Sequence, residues 1–153
     1  MDIRVQDAPF DLGAESGSFA ARQSGMGAVV TFTGIVRNNA AGDLREMMIE
    51  HYPGMTEKAI GDIAMEASSR WNLGDVLIIH RYGALAPQEM IMMVATSAPH
   101  RSDAFEAAEF LMDFLKSRAP FWKKEVTRES ARWVEAKDED EDALSRWSSG
   151  VAD

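Results

Sequence analysis

The spacing of apolar residues switches period several times along the chain, and this limits the folds open to it. Ile60, Ile63, Ala64, Ala67 and Trp71 recur at helical spacing, which predicts a helix over Thr56–Trp71 with Thr56 as its cap and Glu57 in its first turn. A second helical run follows within "SAPHRSDAFEAAEFLMDFLKSR", with Phe105, Ala108, Met112 and Leu115 on one face, Ser102 as N-cap and Pro120 as terminator. The stretches "GAVVTFTGIVR", "LREMMIEHY", "VLIIHRY" and "EMIMMVAT" are strand-like in composition, with "GALAPQ" as a turn between the last two. "FWKKEV" and "RWVEA" are shorter strand candidates, and "ESGSFAARQSG" is a short helix candidate in an otherwise aperiodic start. This order predicts an α+β fold with a mixed or antiparallel sheet and two main helices. At 153 residues the chain reads as a single domain, 1–153, with its core at about 27–136 and an acidic, flexible tail over 137–153. The segment "KDEDEDALSRW" within it reads as a solvated tail or a terminal helix.

The net charge is −9, which argues against a general nucleic-acid binder, since phosphate contacts need a broad basic surface. The excess is uneven. "EAKDEDED" (Glu135–Asp142) holds six acids and one lysine, whereas Met112–Arg128 holds five basic residues and two acidic ones. A cationic site on an acidic protein follows as an expectation. The chain has no cysteine, so disulfides, thiolate metal sites and a persulfide of its own are excluded. Three dispersed histidines, His51, His80 and His100, give no metal motif, so neither metal nor cofactor is expected. No apolar run approaches the roughly 18–20 residues of a membrane span, and the N-terminus does not resemble a signal peptide, so a cytoplasmic protein with no membrane partner is expected.

Several residues carry both an ordinary reading and a functional one. His100 and Arg101 open the second helix, where free N–H groups attract anions, yet taken alone a first-turn ion pair of Arg101 with Asp103 or Glu106 is the better reading. Lys116 suits the helix C-terminal dipole without further purpose. Lys123 and Lys124 lie in an extended segment, so only one of them shares a face with a given site, and Lys124 is the better solvent residue. Gly34 inside a strand signals a bulge, and Arg37 after it is placed to grip phosphate or carboxylate. His51, Tyr52, His80, Arg81 and the ten methionines read as packing residues. His100 and Lys116 are 16 residues apart, roughly 24 Å along a helix, so both serve one small ligand only if a second copy supplies one of them.

Taken together, "TFTGIVR", "EHYPGMTEKA", "HR" at 80–81, "HRSDAFEA", "MDFLKSRAPFWKKE" and "RWVEA" resemble one family, the large, catalytic subunit of molybdopterin synthase. The resemblance runs from about Gly27 to Ala136. It implies an α/β-hammerhead portion, a central homodimer, and a small ubiquitin-like sulfur carrier docked at each end to give a heterotetramer. It further implies that the carrier's Gly-Gly thiocarboxylate delivers sulfur twice to cyclic pyranopterin monophosphate, forming the dithiolene of molybdopterin. Carried over by position, Lys116 and Lys123 are the implied catalytic residues. Ile35, Val36, Arg37, His100, Arg101, Lys116, Lys123, Lys124 and Glu125 are the implied substrate-binding residues, with His100 and Arg101 coming from a neighbouring subunit. Lys137 stands where the family pattern suggests arginine, and the loop "NNAAGDLRE" matches no pattern. Two other readings stand beside this one: a non-catalytic module that binds the acidic C-terminal tail of a ubiquitin-like partner, and a small acyl-transfer or CoA-binding enzyme. The latter lacks a phosphate-cradling glycine loop.

Overall fold

The structure, a computed structural model, describes residues 1–135 and 137–148. Its element order is β1 (Asp2–Gln6), α1 (Leu12–Ala21), β2 (Ala28–Ile35), β3 (Leu44–His51), α2 (Met55–Trp71), β4 (Asp75–Arg81), β5 (Gly83–Leu85), β6 (Met90–Ala98), α3 (Arg101–Ser117), β7 (Phe121–Thr127), β8 (Ala131–Val134) and α4 (Asp138–Ser145). The fold is α+β. One sheet runs β1-β4-β6-β2, mixed because β1 lies parallel to β4; the other runs β5-β3-β7-β8 and is antiparallel throughout.

The first sheet is covered on both faces, and the period-two alternation of its strands shows how. Val76 and Ile78 of β4, with Met92 and Val94 of β6, pack against Ile60, Ala64 and Ala67 of α2 and Phe110, Leu111 and Leu115 of α3. The intervening Leu77, Ile79, Met93 and Ala95 point the other way and meet Phe19 of α1. A third cluster, Val36, Leu44, Ile49 and Leu85, joins the two sheets.

Several sequence expectations need correction. The first residues form β1, an edge strand with little apolar alternation that pairs only with β4. The "GALAPQ" turn contains the short strand β5. Helix α2 is capped by Gly54, whose φ of 84° favours glycine, and Glu57 accepts from the Gly54 N–H at 2.6 Å. Thr56 is instead fully buried, accepting from the Tyr52 N–H at 2.9 Å and donating to the Pro120 carbonyl at 3.0 Å. The N-cap of α3 is His100, in extended geometry, rather than Ser102. Tyr52 is exposed, as are Met55 and Met65, while Met92 and Met93 are core residues.

The acidic stretch at 137–148 is helix α4 and its flanks, docked on α3. Trp147 packs edge-on to Trp71 and Phe110, each with ring centroids 5.5 Å away, and its indole N–H donates to Asp113 at 2.6 Å. Arg118 pairs with Glu141, and Arg146 with Glu109 and Asp113. The expectation for the tail's last residues, 149–153, falls outside the described residues.

Candidate functional site

The site begins with a tight helix-to-strand turn written as "KSRAPFWKK". Helix α3 closes with the Arg118 and Ala119 N–H groups donating to the Phe114 carbonyl, and Pro120 prevents its continuation. Phe121 N–H then donates to the Ala119 carbonyl at 2.7 Å, and Thr56 holds the Pro120 carbonyl from below. Lys116 in the last turn of α3 and Lys123 at the third position of β7 are thereby folded back toward one another. Strand alternation sends Phe121, Lys123 and Glu125 to one side of β7.

That side faces a cleft of about 600 Å³ between the end of β2, the start of β7 and the C-terminal end of α3. Its third cation arrives through a β-bulge. The β2–β6 register shifts between Gly34 and Ile35, as a glycine inside a strand predicts. The strand ends at Ile35, two residues short of the run read from sequence. Ile35 turns outward, Val36 is buried, and Arg37 emerges at the cleft. The Val36 N–H and carbonyl bond the Glu89 carbonyl and the Gln88 N–H at 2.9 and 2.7 Å, so the bulge is anchored.

Arg37, Lys116, Lys123 and Lys137 line the cleft with the carboxylates Glu125, Glu135 and Asp140. Among the described residues Arg37, Lys116 and Lys123 make no ion pair and no side-chain hydrogen bond, unlike Arg4, Arg22, Arg70, Arg81, Arg118 and Arg146. Burial lowers the Lys123 pKa from the usual lysine value, the Lys116 ammonium lowers it further, and Asp140 opposes both. Lys123 is half-buried while Arg37 and Lys116 are exposed, and three unpaired cations lining one concavity can attract an anion.

The remaining sequence candidates divide. Ile35, Val36, Arg37, Lys116, Lys123 and Glu125 come together at the cleft. Lys124 lies on the opposite face of β7, its ammonium 5.1 Å from the Trp133 ring centroid. His100 and Arg101 sit exposed at the far end of α3 and do not line the cleft of their own chain. Arg81, read as structural, is a buried clamp donating to the Asp7 carbonyl at 2.9 and 3.1 Å. His80 was read the same way, yet it lines the cleft. Its sequence signal was a polar residue inside an apolar β4 run.

The MoaE protein family model matches residues 5–118. The molybdopterin synthase catalytic subunit of Cereibacter sphaeroides is 63% identical over 147 residues, covering 96% of this chain and all of that one. The same-named Escherichia coli protein is 53% identical over 146 residues, covering 95% of this chain and 97% of that one. Among solved structures, the molybdopterin biosynthesis MoaE protein of Burkholderia ambifaria superposes with a TM-score of 0.81 at 51% identity, over 96% of this chain and 97% of that one. Molybdopterin synthase from Staphylococcus aureus gives 0.78 at 30% identity, over 86% and 96%. In the described residues no helix is long and apolar enough to cross a membrane. With relatives of this identity matched along almost their whole length, the chain belongs to the MoaE family, that of the molybdopterin synthase catalytic subunits.

Proposed function

We propose that this chain is the catalytic subunit of a molybdopterin synthase, moving sulfur from the C-terminal thiocarboxylate of a small carrier protein onto cyclic pyranopterin monophosphate. The observation that carries this reading is the convergence of Arg37, Lys116 and Lys123, all unpaired among the described residues, on one cleft of a chain whose net charge is −9. Both reactants are anions, and the site offers cations that form no ion pair with a carboxylate of the described residues. A chain without cysteine needs an external sulfur donor, which the thiocarboxylate supplies.

In each transfer the thiocarboxylate sulfur bonds to a substrate carbon as a carbon–oxygen bond to that carbon breaks, the displaced oxygen leaving as water or staying on the phosphate. Water then cleaves the acyl C–S bond, leaving the sulfur on the pterin and the water oxygen in the carrier's carboxylate. Negative charge builds on the acyl oxygen as water attacks, and the Lys116 ammonium is placed to stabilise it. Lys123, whose ammonium is destabilised by burial, is suited to hold the phosphate and to exchange a proton with the leaving thiolate. Arg37 offers a planar fork to the cyclic phosphate. No resident metal or cofactor is assigned a role.

His100 and Arg101 belong to this reading only through a second copy, because about 24 Å of helix separates them from Lys116. We therefore infer a homodimer that shares its sites, with one carrier per cleft in a heterotetramer, in the cytoplasm, and the whole chain as a single domain. The alternative, a non-catalytic module that only holds the carrier's tail, makes the opposite prediction for one variant. Lys116→Ala should leave carrier binding intact and lower dithiolene formation by roughly 10²–10³-fold with purified thiocarboxylated carrier and cyclic precursor. Undiminished product would sink the catalytic assignment.

A further inference from the structure

His80 is a buried titratable group that the chemistry above does not use. It ends the β4 face formed by Val76, Ile78 and His80, and only 3% of it is exposed. Its ring stacks on Phe121 with centroids 3.8 Å apart and 18° between planes, two residues before Lys123 on the same side of β7. Its Nδ1 lies 2.8 Å from the Arg81 carbonyl oxygen. A carbonyl only accepts, so Nδ1 carries the hydrogen and donates it. A neutral imidazole has a single N–H, which leaves Nε2 as a bare acceptor.

The ring is held neutral. Burial pushes the His80 pKa down to about 3 despite the Arg81 carbonyl, and the charges of Lys123 on β7 and His51 on β3 push the same way. The Arg81 guanidinium turns away toward the Asp7 and Met90 carbonyls. Nε2 has no hydrogen-bond partner among the described residues, and neither does the Lys123 ammonium. His80 and Lys123 both line the cleft, so an acceptor without a partner and a half-buried donor without one share its wall.

We propose that His80 is a positioning residue for Lys123: an uncharged imidazole, locked as its Nδ1–H tautomer and stacked on Phe121, whose Nε2 accepts from the Lys123 ammonium and aims it at the bound anion. A carboxylate in this place would pair with Lys123 and cancel the charge the anion needs. A protonated histidine would repel it. A neutral acceptor orients the ammonium and leaves its charge available.

The kinetic part of the test rests on the sulfur-transfer reading; the spectroscopic part does not. In His80→Asn the amide still reaches the Arg81 carbonyl but nothing replaces Nε2, whereas in His80→Gln the amide oxygen falls near the Nε2 position. With the full carrier complex, single-turnover dithiolene formation should fall roughly tenfold in His80→Asn, the order for one hydrogen bond lost from a closed site. His80→Gln should recover part of that loss, with carrier binding and melting temperature kept in both. Equal impairment of the two variants, or none in His80→Asn, overturns the proposal. Nitrogen-15 histidine spectra of the wild-type protein should show Nδ1 protonated and Nε2 bare across about pH 5–8. Inorganic phosphate should shift the Nε2 resonance in the wild type and not in Lys123→Ala. A His80 that titrates in this range, or ignores phosphate, overturns it as well. Should the wild type itself form no product, the sulfur-transfer reading falls and the spectra alone decide His80.

Discussion

In the β1-β4-β6-β2 sheet, β4 and β6 are buried on both faces, and the hydroxyls of β6 have partners: Thr96 donates to the Ala104 carbonyl at 2.8 Å and Ser97 to Gln23 at 2.7 Å. In the β5-β3-β7-β8 sheet, β7 is half-buried, β8 is exposed, and Lys123 has no counter-charge in contact among the described residues. Strands β4 and β6 spend most of their residues on packing, and β7 spends one face on presenting groups. This division lets a small chain carry unpaired cations, because the helices that stabilise it grip the other sheet. Lys116 and Lys123 stand on either side of the division, one on a helix of the packed layer and one on the presenting strand, so the cleft needs both.

This contrast predicts effects of graded size. The largest is at Lys123: Lys123→Met should lower turnover by roughly 10²-fold while leaving the melting temperature unchanged or higher, because a desolvated cation is replaced by an apolar chain of similar shape. A clear loss of stability would mean that the presenting sheet also bears the fold. Next comes Leu111→Ala in the packed layer, which should cost about 3 kcal/mol in denaturant unfolding and leave turnover per folded molecule unaltered. Asp75 at the start of β4 comes third. Burial raises its carboxyl pKa, but the Met1 amino group, Arg22 and the Val76 N–H outweigh this and hold it at about 2. A depressed folded-state pKa stabilises above the unfolded value, and the benefit disappears as pH falls from about 4 to 2. Asp75→Asn should therefore cost about 2 kcal/mol at neutral pH, with the two proteins converging in acid unfolding near pH 2. The smallest effect is at Lys124, whose ring contact on the far face of β7 is worth under about 1 kcal/mol. Lys124→Ala should leave turnover within about twofold of wild type, and a large loss would place that face in the site after all.

Helices α2 and α3 were legible because their apolar residues keep helical spacing over 17 residues each. The bulge at Gly34 and the choice of Lys123 over Lys124 were legible from glycine chemistry and strand alternation. The caps were not: a buried Thr56 and a capping Thr56 look alike in sequence, and only the Pro120 carbonyl across 64 residues distinguishes them. Strand β1 was missed because parallel pairing at an edge leaves no local turn signal. His80 was missed because its environment comes from Phe121 and Lys123, about forty residues away. The docking of α4 depends on Trp147 finding Trp71 and Phe110, which no window of acidic residues can announce.

That docking has a temporal consequence. Val134, Glu135, Lys137 and Asp140 wall one side of the cleft, and Trp147 pins the segment that carries them. During synthesis this wall leaves the ribosome after Arg37, Lys116 and Lys123. A released chain cut before residue 134 keeps Arg37, Lys116 and Lys123 but lacks one bank of the cleft, and the chamber closes only when the segment through Trp147 is present.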